Sequence, residues 1–335
     1  MRITFFGGSI TYGSGASEED RTSYRALVSD ALAQRYPNQV VESVNAAVGG
    51  TGSDYGRFRL DRDVLAARPD VVFVEFAVND SGMVTGWRRR SFEALIRALL
   101  LAPARPHVVV ILTTFGDPDK AQALGHDHRE IAQHYALPVI DVGEALWAAG
   151  APPNLMSEFL PDGVHPNDAG YRVYAECIIR ALADLPLDSE RPRSPLPSPL
   201  SPALMVSAQF VTPDELDLPV PVVAIGDQRL PKAWELSPAG PRFEVPFVGS
   251  ILGLAWWVSR DAGAMRWRVD GGDWQTLTCW DEYAPHFNRV NMVLLAQDLD
   301  PGQHRLEVEP LTIPVPGSEG TAMRIAAVLS AQTGD

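Results

Sequence analysis

Four short stretches of this chain combine residue types that serve acyl transfer. The first, Gly7-Gly8-Ser9-Ile10-Thr11, sets a hydroxyl on a glycine turn, where the backbone can approach a ligand closely and the Ser9 N–H is left free. The second is Asn45-Ala46-Ala47-Val48-Gly49-Gly50-Thr51, the third Ala77-Val78-Asn79-Asp80, and the fourth Asp162-Gly163-Val164-His165-Pro166-Asn167. Ester cleavage by serine needs a hydroxyl, a base for its proton, a group that orients the base, and donors for the oxyanion. Asp162 and His165 stand three residues apart in a glycine-containing turn, so the carboxylate can reach the imidazole Nδ1–H and leave Nε2 to face Ser9. The Asn79 amide, with the backbone N–H groups of Ser9 and Gly50, suits an oxyanion hole. One such donor is typically worth roughly 3 kcal/mol in the transition state.

These stretches need elements that carry them to one place. Strand-like apolar runs fall near residues 2–6, 40–45, 70–76, 107–113 and 138–142, and helical patterns near 22–36, 54–67, 88–102, 121–136 and 167–184. Continuous Val/Ile/Phe runs read as strands buried on both faces, which implies a parallel sheet covered by helices. The alternation predicts a flavodoxin-like, three-layer α/β/α domain with a parallel five-stranded sheet, whose ligands sit at the carboxyl ends of the strands. Three of the four stretches directly follow a predicted strand, and the fourth precedes the last helix.

Taken together, the stretches resemble the signature blocks of the SGNH/GDSL-like hydrolase superfamily of serine esterases. GGSIT stands for its Gly-Asp-Ser-Leu block, VGGTGSDYGRFRL for the glycine block, AVND for Gly-x-Asn-Asp, and DGVH for Asp-x-x-His. The resemblance covers residues 1–184, in order and with family-like spacing. It implies that Ser9, Gly50, Asn79 and His165 fill the four name-giving roles and that Asp162 completes a catalytic triad. Two positions depart from the pattern: Gly8 replaces the aspartate of the name motif, as in many carbohydrate-directed members, and Ala77 replaces the glycine before Asn79.

Blander readings compete at each position. Gly7-Gly8-Ser9 alone would be a β–α turn with a helix-capping serine, and Asn79 alone would cap the following helix. Asp80 reads as a loop stabiliser. GGSITYGSG lacks the G-x-G-x-x-G spacing of a dinucleotide site, and Asp20 does not follow a second strand where the ribose would need it. His126, His128 and His134 read as a solvated helix face, with no carboxylate or cysteine completing a metal set. Arg88, Arg89 and Arg90 read as solvated surface. The expectation is an enzyme with no cofactor and no metal.

Residues 186–203 hold six prolines and four serines, the composition of a stiff, extended linker. It separates an expected hydrolase domain, 1–185, from an all-β sandwich or jelly-roll domain, 204–335, where short alternating runs such as FEVPF and MRWRVDG are punctuated by Gly, Pro and Asp turns. Six of the eight tryptophans lie in this second domain. Trp256 and Trp257 are neighbours in a strand, so they cannot both face one core. The stretch Trp280-Asp281-Glu282-Tyr283, followed by His286 and Phe287, offers aromatic faces; Trp280 and Tyr283 are candidate sugar contacts. A β-sandwich joined to an SGNH domain is similar to the build of carbohydrate esterases.

The net charge is −14 and both halves are acidic, so the chain lacks the basic footprint of a nucleic-acid or anionic-membrane partner. No apolar run has membrane-spanning length. The first residues lack the pattern of a signal peptide, and two cysteines, one in each half, fit a reducing cytoplasm. The expected partner is a small-molecule or oligosaccharide ester, with either a monomer or a homo-oligomer admissible. The leading expectation is a serine esterase removing acetyl groups from sugars or oligosaccharides through an acyl-enzyme on Ser9. The alternatives are a lipid esterase, lysophospholipase or thioesterase, and, from another class, a carbohydrate-binding protein with an inactive hydrolase domain.

Overall fold

A computed structural model of the chain describes residues 1–150, 153–189 and 195–334; residues 190–194 of the expected linker lie outside the described residues. The chain forms two compact units, Met1–Leu204 and Met205–Gly334.

The first unit is built on five parallel strands: β1 (Arg2–Gly7), β2 (Glu42–Asn45), β3 (Val71–Glu75), β4 (His107–Leu112) and β5 (Val139–Asp141). Their order is β2-β1-β3-β4-β5, the flavodoxin order. The helices between them are α1 (Ser9–Tyr12), α2 (Glu19–Thr22), α3 (Tyr24–Arg35), α4 (Ser53–Asp63), α5 (Ala77–Asp80), α6 (Thr85–Leu101), α7 (Pro118–Ala121), α8 (His126–His134), α9 (Val142–Ala149) and α10 (Asp168–Leu182). The strand side chains alternate between two apolar cores. Ile3, Phe5, Val71, Phe73, Val109 and Ile111 meet Tyr24, Val28, Tyr171 and Ile178 on one face. Phe6, Val72, Val74, Val108 and Val110 meet Leu60, Phe92, Leu95 and Ile131 on the other. Both faces are therefore closed, and polar groups collect where the strands end.

Of the helical pattern expected over 121–136, α8 takes His126–His134, with Gly125 at φ +74 as its N-cap; a separate short helix, α7, ends at Ala121. α9 was not foreseen, because its eight residues follow β5 with no loop; Asp141 caps it by accepting from Glu144 N at 2.8 Å.

Residues 195–203 pack along the first unit. The Glu93 carboxylate in α6 is fully buried and accepts from Leu200 N and Ser201 N at 2.7 Å and from Tyr135 Oη at 2.6 Å. Arg97 donates to Pro197 O at 2.8 Å and His134 Nε2 lies 2.8 Å from Ser198 O. The prolines keep the segment extended, and its backbone groups find partners on α6 and α8.

The second unit is all β: β6 (Leu204–Val211), β7 (Val222–Ala224), β8 (Lys232–Leu236), β9 (Phe243–Val248), β10 (Ile251–Val258), β11 (Ala264–Val269), β12 (Gln275–Thr278), β13 (Arg289–Ala296), β14 (Gln303–Pro310) and β15 (Met323–Gly334). One sheet runs β13-β10-β15-β8-β7, with β6 also paired to β15; the other runs β12-β11-β14-β9. Trp234, Leu254, Trp256 and Ile325 from the first sheet share a core with Phe243, Val245, Trp267 and Val308 from the second, which makes the unit a sandwich. Trp256 enters that core and Trp257 does not, as strand alternation requires; Trp257 is nonetheless covered on the outer face, where the Gly226 segment lies close to its ring. Among the described residues no helix is long and apolar enough to cross a membrane.

The buried strap contact gives a stability test. Glu93→Ala leaves three donors without their acceptor and should cost about 3 kcal/mol in urea unfolding of the first unit. Cleavage within 195–203 by a non-specific protease should accelerate in parallel. Wild-type stability with wild-type proteolysis would mean that the Glu93 contacts do not hold the segment.

Candidate active site

The carboxyl ends of β1, β2 and β3 and the loop before α10 converge. Ser9 is the first residue of α1, whose N-cap position is Gly8 with no side-chain cap bond; its hydroxyl points elsewhere, to His165 Nε2 at 2.8 Å. His165 Nδ1 lies 2.7 Å from Asp162 Oδ2. A carboxylate only accepts, so the proton sits on Nδ1 and Nε2 is the acceptor for the Ser9 hydroxyl.

The histidine loop is held on several sides. Asp162 Oδ1 accepts from Val164 N at 2.9 Å and His165 N at 2.7 Å, folding the turn around its own carboxylate. Gly163, at φ +80, supplies the left-handed step, and its carbonyl accepts from Gly116 N at 2.8 Å. Asn167 caps α10 by accepting from Ala169 N and Gly170 N. Gly15, at φ +91, lets the loop after α1 approach so closely that an added Cβ would lie 2.5 Å from Pro166 O and 3.3 Å from His165 Cβ. Burial alone would raise the Asp162 carboxyl, but hydrogen bonds from the His165 ring and from the backbone N–H groups of His165 and Val164 hold it below the ordinary aspartate value.

The oxyanion candidates lie around the same serine. An added Cβ on Gly49 would sit 3.7 Å from Ser9 Cβ, so the glycine loop runs directly beside the hydroxyl. Gly50 adopts φ +71 and faces open space. The Asn79 amide rests against Gly8, where an added Cβ would lie 2.0 Å from its Oδ1. Asn79 does not cap the next helix: α6 begins at Thr85 with Val84 at its N-cap and no side-chain cap bond.

Beneath the glycine loop is a buried polar cluster that sequence reasoning missed in part. Asp80 is fully buried; Oδ1 accepts from Ser53 N at 2.7 Å and Oδ2 lies 2.9 Å from His128 Nε2. His128 corrects the expectation of a solvated histidine face. It is 1 % exposed and its ring stacks on Phe92 at 3.7 Å, because α8 turns residue 128 inward while His126 stays in water. Asp54 is also buried, held by Tyr55 N at 2.7 Å and Trp87 Nε1 at 3.3 Å. Burial first, and the nearby Asp80 charge, push its pKa up to about 6. The signal available was Asp80 following Asn79 directly, and Asp54 in the first turn of a helix directly after the glycine block.

Two further expectations are corrected. Asp127 and Glu130 do approach His126 closely enough for a metal-like set, but Arg88 and Arg89 already claim the Asp127 carboxylate and Arg89 claims Glu130 at 2.6 Å. Those arginines are therefore paired and mostly covered rather than freely solvated. Arg90 donates to Ala203 O at 3.0 Å and lies over the Trp87 ring.

In the second unit, Trp280 is half-buried and packs on the sandwich core beside Gly317. The exposed faces of its loop are Tyr283 and Phe287, each 54 % exposed, with the Arg289 guanidinium 6.0 and 5.0 Å from their ring centres and tied to Asp281. Sequence position alone favoured Trp280; the large apolar ring went to the core.

A flavodoxin-ordered sheet carrying a serine and a histidine in hydrogen-bond contact at its carboxyl ends has the build of an α/β acyl hydrolase. The chain belongs to the GDSL-like Lipase/Acylhydrolase family, whose sequence profile matches residues 5–173. An acetylxylan esterase of Xylanibacter ruminicola is 24 % identical over 213 residues, 54 % of this chain; the chain spans 43 % of that relative's length. The crystal structure of a two-domain esterase (CEX) active on acetylated mannans, co-crystallised with mannopentaose, matches with a TM-score of 0.85 at 25 % identity, covering all of this chain and 91 % of that one. A second structure of a two-domain esterase (CEX) active on acetylated mannans matches at 0.84 and 23 % identity, covering all of this chain and 92 % of that one.

The raised Asp54 carboxyl has a signed consequence for stability. Between its ordinary pKa of 3.8 and the folded value near 6, the folded state binds more protons than the unfolded, so this contribution to stability falls as pH rises through that window. Asp54→Asn should remove the slope. Relative to wild type it should gain about 2–3 kcal/mol in urea unfolding on going from pH 4 to pH 8. An identical pH slope in both proteins would show that Asp54 does not titrate there.

Proposed function

We propose that the protein is a serine esterase that hydrolyses short-chain acyl esters, acetyl groups on oligosaccharides in particular, through an acyl-enzyme on Ser9. The observation that carries this reading is the continuous line from Ser9 Oγ to His165 Nε2, 2.8 Å, and from His165 Nδ1 to Asp162, 2.7 Å. His165 takes the Ser9 proton as Oγ bonds to the acyl carbon, and Asp162 steadies the imidazolium. The carbonyl oxygen becomes an oxyanion, for which the N–H groups of Ser9 and Gly50 and the Asn79 amide are the donors. Collapse of the tetrahedral intermediate breaks the ester bond, and His165 gives the proton to the departing sugar oxygen, which leaves as a hydroxyl. Water then gives a proton to His165, attacks the acyl carbon, and releases the acid with Ser9 restored.

Acetylated oligosaccharide as the substrate class is supported by the relatives acting on acetylated xylan and mannan and by the exposed Tyr283–Phe287 pair, rings 6.5 Å apart, which suits stacking on sugar faces. The reading keeps a hydrolase domain followed by an accessory domain, and a cytoplasmic location.

The decisive assay is a chain-length series of p-nitrophenyl esters on wild type and variants. Acetate should be preferred, and Ser9→Ala should lose up to about 10⁶ in kcat while staying folded. Asn79→Ala should lower kcat about 10²–10³-fold with a smaller change in KM. Preference for long acyl chains would replace the sugar ester with a lipid or thioester, and a folded, active Ser9→Ala would remove the mechanism. Tyr283→Ala should raise KM for an acetylated mannooligosaccharide severalfold, on the order of 1 kcal/mol, without touching p-nitrophenyl acetate turnover. Equal effects on both substrates would make Tyr283 structural.

A further inference from the structure

The peptide bond between Gly7 and Gly8 is gripped by two buried side chains of opposite charge. Gly7 ends β1 and pairs with Glu75, the last residue of β3. Glu75 is 0 % exposed, and its carboxylate accepts the Thr11 hydroxyl at 2.8 Å and the Thr113 hydroxyl at 3.0 Å, with the Gly8 N–H turned toward it. Thr11 is tied in turn to Tyr24 Oη at 2.7 Å. On the other end of the same peptide, Gly7 O accepts from Arg59 Nη2 at 3.2 Å and from Val48 N at 3.0 Å. Arg59 is also 0 % exposed; it donates to Ala46 O, pairs with Asp63 at 3.2 Å and lies 4.4 Å over the Phe6 ring.

Neither residue touches the Ser9–His165–Asp162 line, and neither is needed to close the apolar cores. A buried carboxylate is costly, and burial raises the Glu75 carboxyl despite the two hydroxyls that donate to it. An apolar side chain at the end of β3 would continue the Val71–Val74 run at lower cost. What Glu75 and Arg59 share is the Gly7–Gly8 peptide, one step before the peptide that carries the Ser9 N–H. The next peptide, Gly8–Ser9, carries the Ser9 N–H, and Gly8 is the surface on which the Asn79 amide rests. Gly7 must be glycine for this packing, since an added Cβ would lie 2.4 Å from Thr11 Oγ1 and 2.5 Å from Glu75 O.

We propose that Glu75 and Arg59 are positioning residues for acyl transfer: they fix the Gly7–Gly8 peptide from its N–H and its carbonyl, and thereby the hydroxyl and N–H of Ser9. The inference rests on the serine esterase reading above. A shift of the nucleophile's peptide alters the fit to the tetrahedral oxyanion more than ground-state binding, so its loss belongs in kcat.

The test compares Glu75→Ala, Glu75→Gln, Arg59→Lys and Ser9→Ala in the full chain, with p-nitrophenyl acetate as substrate and circular dichroism to establish folding. Glu75→Ala should lower kcat on the order of 10–100-fold with KM within about twofold. Glu75→Gln keeps one carbonyl acceptor for Gly8 N–H and should recover most of the loss. Arg59→Lys loses the fork in which one nitrogen reaches Gly7 O and the other Ala46 O and Asp63, and should show the same kcat-only loss. Should Glu75→Ala fail to fold, Glu75→Gln and Arg59→Lys carry the comparison: a loss in Arg59→Lys at constant KM supports the clamp. Folded variants that melt earlier yet keep kcat, or that lose kcat and KM together, overturn it and leave a structural role. Turnover by folded Ser9→Ala overturns the esterase reading and the clamp with it. A dead Ser9→Ala beside fully active Glu75 and Arg59 variants overturns the clamp alone.

Discussion

The 2.8 Å contact between Ser9 and His165 joins residues 156 positions apart in the chain, and much of the first unit is arranged so that it can exist. A hydroxyl and an imidazole on separate loops hold that distance only if the loops are braced against each other. The bracing is local and polar. Tyr171 in α10 donates towards Ile10 O at 3.0 Å and Ser14 O at 2.7 Å, reaching from the histidine side to the turn that carries Ser9. Asp168, in the first turn of the same helix, accepts from Ser17 N and the hydroxyls of Ser17 and Thr22. The first residues after Ser9 are thus stitched to the first residues after His165. The apolar core beneath, from Phe5 to Ile178, supplies the rigidity that these few hydrogen bonds could not.

A second constraint is the closed sheet. With both faces of β1, β3 and β4 covered, any charged group near the strand ends is removed from water and must be paired or neutralised. Glu75, Asp54, Asp80, Arg59 and His128 are all buried there, and they are paired partly with one another and with neighbouring side chains, partly with backbone atoms of α4 and of the segments at Gly7 and Ala46. Replacing such a cluster with well-packed apolar residues is often neutral or favourable for stability in other proteins. Its retention here fits precision rather than stability. Each backbone group it holds has one satisfied geometry, whereas an apolar contact tolerates sliding.

How much of this was legible in the sequence depends on what kind of signal each residue leaves. Strands with uninterrupted Val and Ile runs announce themselves, and β1, β3 and β4 end within about two residues of where the pattern places them. The Asp162-to-His165 turn was readable because three residues of separation let a carboxylate reach the ring of the same loop. Glu75 left no such mark: one acid at the end of an apolar run looks like the last residue before a loop. Arg59 sat inside the glycine block, but periodicity gives a helix face, not the carbonyl it reaches 52 residues away. His128 was misassigned for a related reason. Helix geometry sets His126 and His128 on different sides of α8, but only packing against Phe92 and Asp80 decides which of them faces inward. In the second unit, aromatic content marked the loop after Cys279 but could not say which rings the core would take; the larger Trp280 went inward and Tyr283 stayed out.

The two departures from the family pattern make physical sense together. At residue 8 a side chain would begin 2.0 Å from the Asn79 amide oxygen and 2.9 Å from its Cγ. An aspartate there, as in the name motif, would push Asn79 off Gly8 unless the third block moved with it. At residue 77 the extra methyl of alanine has the opposite situation. Ala77 is 2 % exposed and faces the apolar core that holds Phe76 and Ile131, so its Cβ adds contact instead of collision and its backbone stays right-handed in α5. One position gives up a side chain so that the amide can come close, and the other gains a methyl that anchors the turn beneath that amide. Both positions bear on the seat of Asn79, whereas Ser9, Asp162 and His165 stand as the family pattern has them.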